Sequence, residues 1–497
     1  IITSLIKQST MGKKSKRSKN KQAAAEDPPS RPAPALRKAE EETKDNLRFE
    51  DPYVDELEED DVVDDEEYEE DEEMVDNNGE IVQSWNPLTG EALAPGQELE
   101  MDPSAYKMHH GLTPAWPSLS FDFLRDDLGE SRTRFPHTLT AVIGTQAAQP
   151  DENQLTVMKL SDLARIHVET EDDILGEEYN KEGDDDEDSD EEDVEVDPVL
   201  ESFSIPHCGG VNRIRAMPQQ CHIVATLSDL GQVNLFNVET IVSKFSEKGP
   251  KQQSPSSSEI KPYFVHSKHP TEGYALDWSP VKQGHLASGD CAGNIHIWSP
   301  RPEGGFEVVP SYDSKIYASA TQQAPSVEDI QWSPTEATVF CTAECGGYVR
   351  IFDTRAQNRA MLSHKIQAHG TDVNVVSWNK LVSNLLACGG DDGVLSVWDL
   401  RHFSGGKPDP LARFTTHKTP ITSVEWHPTD ESMLAASDDV GTYIYDLSVE
   451  EDDAQMGDDQ VDVPPQLLFV HCGSEQFKEI HWHPQISSCL MTTAVSG

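Results

Sequence analysis

No Asn-x-Ser/Thr acceptor for N-glycosylation occurs in the 497 residues, and no window approaches the ~18 consecutive apolar residues of a membrane-spanning helix. The chain therefore reads as neither a secreted glycoprotein nor a helical membrane protein. Its eight cysteines, Cys208, Cys221, Cys291, Cys341, Cys345, Cys388, Cys472 and Cys489, include no Cys-x-x-Cys pair. A disulfide framework or a zinc site needs tighter patterning. Reduced, structural thiols in an intracellular compartment are expected. Also missing are a Gly-rich phosphate loop, a Gly-x-Ser-x-Gly elbow and a His-Glu-x-x-His helix, so neither catalysis nor a cofactor or metal is expected.

Positive charge is scarce. Against 39 Lys and Arg stand 90 Asp and Glu, a net charge of −51. The acids are not spread evenly. Residues 50–76 hold 18 and no base, 169–197 hold 18 and one base, and 450–462 hold seven and no base. Those runs account for 42 of the 51 excess negative charges, which leaves the rest of the chain ordinary. Acidity of this kind repels nucleic acid and attracts basic proteins.

What is abundant is a repeat. Residues 371–401 read as strand, turn, strand, Gly/Asp turn, strand, with Trp398-Asp399 closing the unit. The turn Gly389-Gly390-Asp391-Asp392-Gly393 supplies glycines that tolerate positive φ and aspartates that bond their own backbone. Copies end at Phe236, Trp298, Phe352 and Tyr445, the last four closing aromatics being 54, 46 and 47 residues apart. Opening aromatics Trp278, Trp332, Trp378, Trp426 and Trp482 keep nearly the same step, and four of them carry proline two residues on. One such sheet cannot bury both faces, so the copies must stack. The pattern resembles WD-repeat proteins and implies an all-β, seven-bladed β-propeller.

In chain order, residues 1–10 are mildly apolar ahead of Met11 and read as leader sequence outside the fold. Residues 11–76 read as a disordered tail, basic and then acidic. Within it Lys13, Lys14, Lys16, Arg17, Lys19 and Lys21 have the pattern of a nuclear import signal, the alternative being a solvated tail. Residues 77–115 form a docking segment, with a short helix over 104–110 that Asp102-Pro103 starts and Gly111 and Pro114 end. Residues 116–497 form the propeller. The alternating stretch from Leu119 to Phe123 is expected to join the last blade and close the ring. Acidic insertions fall at 169–197 and 450–465, and a polar loop at 243–262. The last repeat stops after Thr493, so that blade is expected to be truncated and short of a strand.

His207, His369, His417 and His471 stand near blade openings. They are expected to bond across the blade to a strand Ser/Thr, a turn Asp and the closing Trp, with Asp391, Asp392, Asp438 and Asp439 in the same network. Partner binding is assigned to the acidic insertions. In the first these are Asp184, Asp185, Asp186, Glu187, Asp188, Asp190, Glu191, Glu192 and Asp193. In the second, Asp458, Asp459 and Asp462 lead into Pro464, Pro465 and Leu467. Exposed ion pairs contribute only ~0–1 kcal/mol each, so acidic loops steer encounter and an apolar groove must give specificity.

The acidic Pro-Pro loop and the stretch Trp116-Pro117-Ser118-Leu119 resemble the histone-binding WD-repeat proteins, in which such a loop and an N-terminal helix grip a basic amphipathic helix. The helix ahead of Trp116 is shorter here. The basic start, acidic tail and long acidic insertion are similar to the glutamate-rich WD-repeat proteins. That resemblance implies a nucleolar factor in large-subunit ribosome assembly, binding a newly made basic ribosomal protein as a monomer in complex with its client. A histone-binding chromatin factor is the alternative, and a scaffold adaptor needing no acidic loops a third reading.

Overall fold

The computed structural model describes residues 2–5, 88, 101–166, 197–246, 260–308, 324–356, 362–403, 408–450 and 463–495. The import run and most of the acidic residues lie outside these. Six four-stranded antiparallel sheets are each built from one run of chain. Their innermost strands are Ser120–Phe123, Val211–Met217, Ala275–Trp278, Val327–Trp332, Val373–Trp378 and Ser423–Trp426. These define sheets one to six. In each, period-two alternation turns one side chain towards the neighbouring sheet and the next away from it.

A further sheet is composite. Phe477–Trp482 and Cys489–Ala494 pair in the usual way, and Ile2–Leu5 then Tyr106–His110 complete it. The opening residues, read from sequence as lying outside the fold, occupy the third-strand position: Ile2 pairs with Met491 and Ser4 with Cys489. The missing strand expected of the last repeat is thus supplied from the other end of the chain.

Two expectations for residues 102–124 are corrected. Asp102 does cap a turn, accepting from Ser104 N at 2.8 Å, but the helix is a single 3-10 turn, Pro103–Ala105. Tyr106–His110 is a strand because Tyr106 and Met108 are buried and alternate with half-exposed neighbours. It, and not the stretch after Trp116, joins the composite sheet, while Ser120–Phe123 is the innermost strand of sheet one. Pro114 and Pro117, which have no N–H to give a ladder, separate the two strands. The polar loop after sheet two's third strand begins with a helix, α1 (Glu239–Ser246), whose Ile241 is buried in the core of sheets one and two.

Sheets stack through a recurring close approach. Gly144 faces Val211, Gly289 faces Val327 and Gly389 faces Ile421; a Cβ would lie 2.5 Å from Val211 and 2.7 Å from Val327. Only glycine lets the β-branched residue that opens the next sheet seat there. Around the centre, side chains of one innermost strand accept from backbone N–H groups of the next. Ser120 and Asp122 take Ile214 and Ala216, Asp329 and Gln331 take Val376 and Trp378, and Ser423 and Glu425 take Ile480 and Trp482. Glu479 of the composite sheet takes Phe121 of sheet one at 2.8 Å. Residue numbers climb together in every pair, so these strands run the same way around the ring.

Candidate partner-binding surface

Parallel innermost strands have a consequence for the insertions. Within each antiparallel sheet, the connection from third to fourth strand must leave on the same face of the ring. The first insertion joins Gln154–Leu163 to Val199–Pro206 in sheet one, with pairing from Ser161 to Val199 close to its root. The second joins Gly441–Asp446 to Leu467–Cys472 in sheet six, with Tyr445 paired to Leu467. In the composite sheet Leu5 pairs with Tyr106 at the equivalent connection. Sheet six, the composite sheet and sheet one are neighbours through Ser423 to Ile480 and Glu479 to Phe121. The described ends of both acidic insertions and of the connection between Leu5 and Tyr106 lie on one face of three consecutive sheets.

Asp184, Asp185, Asp186, Glu187, Asp188, Asp190, Glu191, Glu192, Asp193, Asp458, Asp459 and Asp462 lie outside the described residues, as do Lys13, Lys14, Lys16, Arg17, Lys19 and Lys21. Pro464, Pro465 and Leu467 are described. Leu467 N donates to Pro464 O at 2.9 Å, a tight turn that delivers Leu467 onto the core shared by sheets five and six. The same strand meets the N-terminal segment: Phe469 packs edge-on to Tyr106 at 5.5 Å, and the Tyr106 hydroxyl bonds His471 Nδ1 at 2.8 Å. Burial, with His109 beside it, pushes His471 down to about 4, so the ring is neutral near neutral pH. Met101, Val463 and Leu468 on these two segments remain exposed. The strand that follows the Pro-Pro turn and the segment 106–110 are therefore brought together, with a strand where a helix was expected.

The histidines divide. His207 bonds Thr226 Oγ1, His369 and His417 bond Asp392 and Asp438, and His269, not singled out from sequence, makes the fullest network. Asp391 and Asp439 do not join it. They turn outward to Asn374 and Lys478, because successive turn residues point to opposite sides.

A second charged region was missed. At the centre of the ring Glu479, 1% exposed, takes Arg213 at 2.6 Å and Arg215 at 2.9 Å. Burial disfavours its charge, yet Arg215, His481 and Arg213 hold it well below the carboxylate range. His481 sits 3.0 Å from Glu425. Burial would lower its pKa, but Glu425 and Glu479 push it up to about 9. The available signal was the residue just before an opening aromatic, here Asp277, Glu425 and His481, and Arg215 before Ala216 at the matching place in sheet two. Glu479, Arg213, Arg215, His481 and Glu425 link sheets two, six and composite, which suits them to bracing the centre.

Comparison with known proteins fits this geometry. The family model for the histone-binding protein RBBP4, a component of the CAF1 complex, matches residues 96–164, and the WD domain, G-beta repeat, matches 361–399 and 408–439. The chain is 37% identical to ribosome assembly protein rrb1 of Schizosaccharomyces pombe over 90% of its own length and 91% of the relative's. It is 39% identical to glutamate-rich WD repeat-containing protein 1 of Dictyostelium discoideum, over 82% of both chains. The chain belongs to the glutamate-rich WD-repeat family. A more distant likeness, 24% over 75% of the chain and 78% of the relative, is to histone acetyltransferase type B subunit 2 of Candida glabrata.

Proposed function

We propose that this chain is a ribosome-assembly factor that binds a newly made, basic large-subunit ribosomal protein and escorts it to the nucleolus for 60S assembly. The observation that carries this reading is that the described ends of both acidic insertions, at Ser161 and Val199 and at Tyr445 and Leu467, leave on one face. Charges gathered there act within about a Debye length, ~8 Å at physiological salt, and speed the encounter with a cationic client. They also compete with RNA for the same lysines and arginines, which is what an escort must do before delivery. The name of the S. pombe relative supports the assembly role.

In this reading the composite sheet is the seventh blade of a closed ring, and residues 11–76 form a tail whose Lys13–Lys21 stretch directs nuclear import. The surface beside Pro464, Pro465 and Leu467 supplies apolar specificity. The protein works as a non-enzymatic monomer bound to its client. A histone client is the second reading, favoured by the match at residues 96–164.

Affinity purification of the full chain at moderate salt, followed by mass spectrometry, tests both. Stoichiometric recovery of one basic large-subunit protein is expected, lost when residues 167–196 are deleted. Core histones in its place would establish the second reading and overturn the first.

A further inference from the structure

Between the outermost strands of sheets two and three lies a groove of about 360 Å³, lined by Phe264, His266, Lys268, Arg301, Phe306 and Val308, with Glu307 at its edge. Phe264 and Phe306 meet at 5.4 Å and form an aromatic floor. Lys268 stands beyond the His266 end of its strand and Arg301 beyond the Pro300 end of the next, so the two cations sit at opposite ends. Lys268 has no carboxylate partner among the described residues. Arg301 meets Glu307 through Nε at 3.4 Å, which leaves the outer nitrogens of its fork available. The buried Nε2 of His266 has no hydrogen-bond partner. Phe264–His266 and Phe306–Val308 are each the last strand of their sheet, with one side of the backbone unladdered.

The molecule already shows how such a groove is filled. Between sheets five and six, Leu88 packs on the core that includes Phe414 and Tyr445, and its carbonyl accepts from Lys418 Nζ at 2.8 Å. We propose that the groove between sheets two and three docks an extended peptide of a second partner protein, with a bulky apolar residue at its centre and a carboxylate on either side. The apolar residue sits on Phe264 and Phe306, and the carboxylates meet Lys268 and Arg301. The groove's preference is opposite in sign to that of the acidic insertions. A cationic client and an acidic peptide can therefore be held at once.

A fluorescein-labelled synthetic peptide of residues 171–179 has the required chemistry, since Asp173 and Glu177 flank Ile174 and Leu175. Fluorescence anisotropy with the full chain should give saturable binding that weakens with salt. The exposed Lys268→Glu, Arg301→Glu double variant should weaken it about tenfold or more with an unchanged melting temperature. A peptide with both apolar residues replaced by serine should weaken it comparably. An unchanged Kd in the double variant, or no saturation below about 1 mM, overturns the proposal. Binding that emerges only once residues 167–196 are deleted also overturns it, because it assigns the groove to the chain's own insertion.

Discussion

Sheets three and five carry the same repeat and reach different degrees of completion. In sheet three, His269 bonds Asp290 at 2.8 Å and Ser288 at 2.7 Å, Trp298 Nε1 donates to Ser288 at 3.0 Å, and Asn294 adds two bonds to Asp290. Each side chain of that network is answered. In sheet five, cysteine stands where sheet three has serine. His369 still reaches Asp392 at 2.9 Å, but its other nitrogen lies 3.3 Å from Cys388 Sγ, and Trp398 Nε1 finds no oxygen acceptor. The aspartate stands two residues after Ser288 in sheet three, where it is buried, and four after Cys388 in sheet five, where it is 22% exposed. The repeat fixes the histidine and the serine or cysteine of the network, while the aspartate comes from a different turn position in each sheet; the atoms present decide how much it contributes.

The largest effect should come from breaking the complete network. Asp290→Ala orphans His269 and Asn294 in a dry site, and about 3 kcal/mol of stability should be lost, read as a drop in the urea midpoint. Asp392→Ala removes a more solvated carboxylate and should cost about 1 kcal/mol; equal losses at the two sites would undo the comparison.

Acid should expose the same contrast. Burial alone would raise the Asp290 carboxyl, but bonds from His269 and Asn294 outweigh it and hold the group below its ordinary value. A depressed folded-state value means that its contribution is present above the unfolded value and lost as pH falls through the folded one. The stability gap between the parent chain and Asp290→Asn should therefore narrow below about pH 4, seen as converging urea midpoints. The smallest effect runs the other way. Cys388→Ser gives His369 and Trp398 a shared hydroxyl and should add about 0.5–1.5 kcal/mol, visible as a modest rise in melting temperature.

Much of the fold was legible. Trp278, Trp332, Trp378, Trp426 and Trp482 each end an innermost strand, where their spacing put them. Residues 104–110 misled because a capping aspartate and proline start a 3-10 turn as readily as a helix. The cluster around Glu479 was hidden for another reason. Its members are single residues on separate strands, 266 positions apart for Arg213 and Glu479, and nothing local links them.

By itself the sequence determined the repeat, the residues that open and close each sheet, and where the negative charge is gathered. These follow from strand alternation and turn chemistry over a few residues. The tertiary structure alone decided that the described ends of the two acidic insertions, far apart in the chain, share one face, and that Ile2–Leu5 lies beside Cys489–Ala494. It also decided that Asp391 and Asp439 turn away from the histidines. The physical reason is that packing the sheets side by side aligns their innermost strands, and that alignment is a relation between distant segments which no short window of sequence contains.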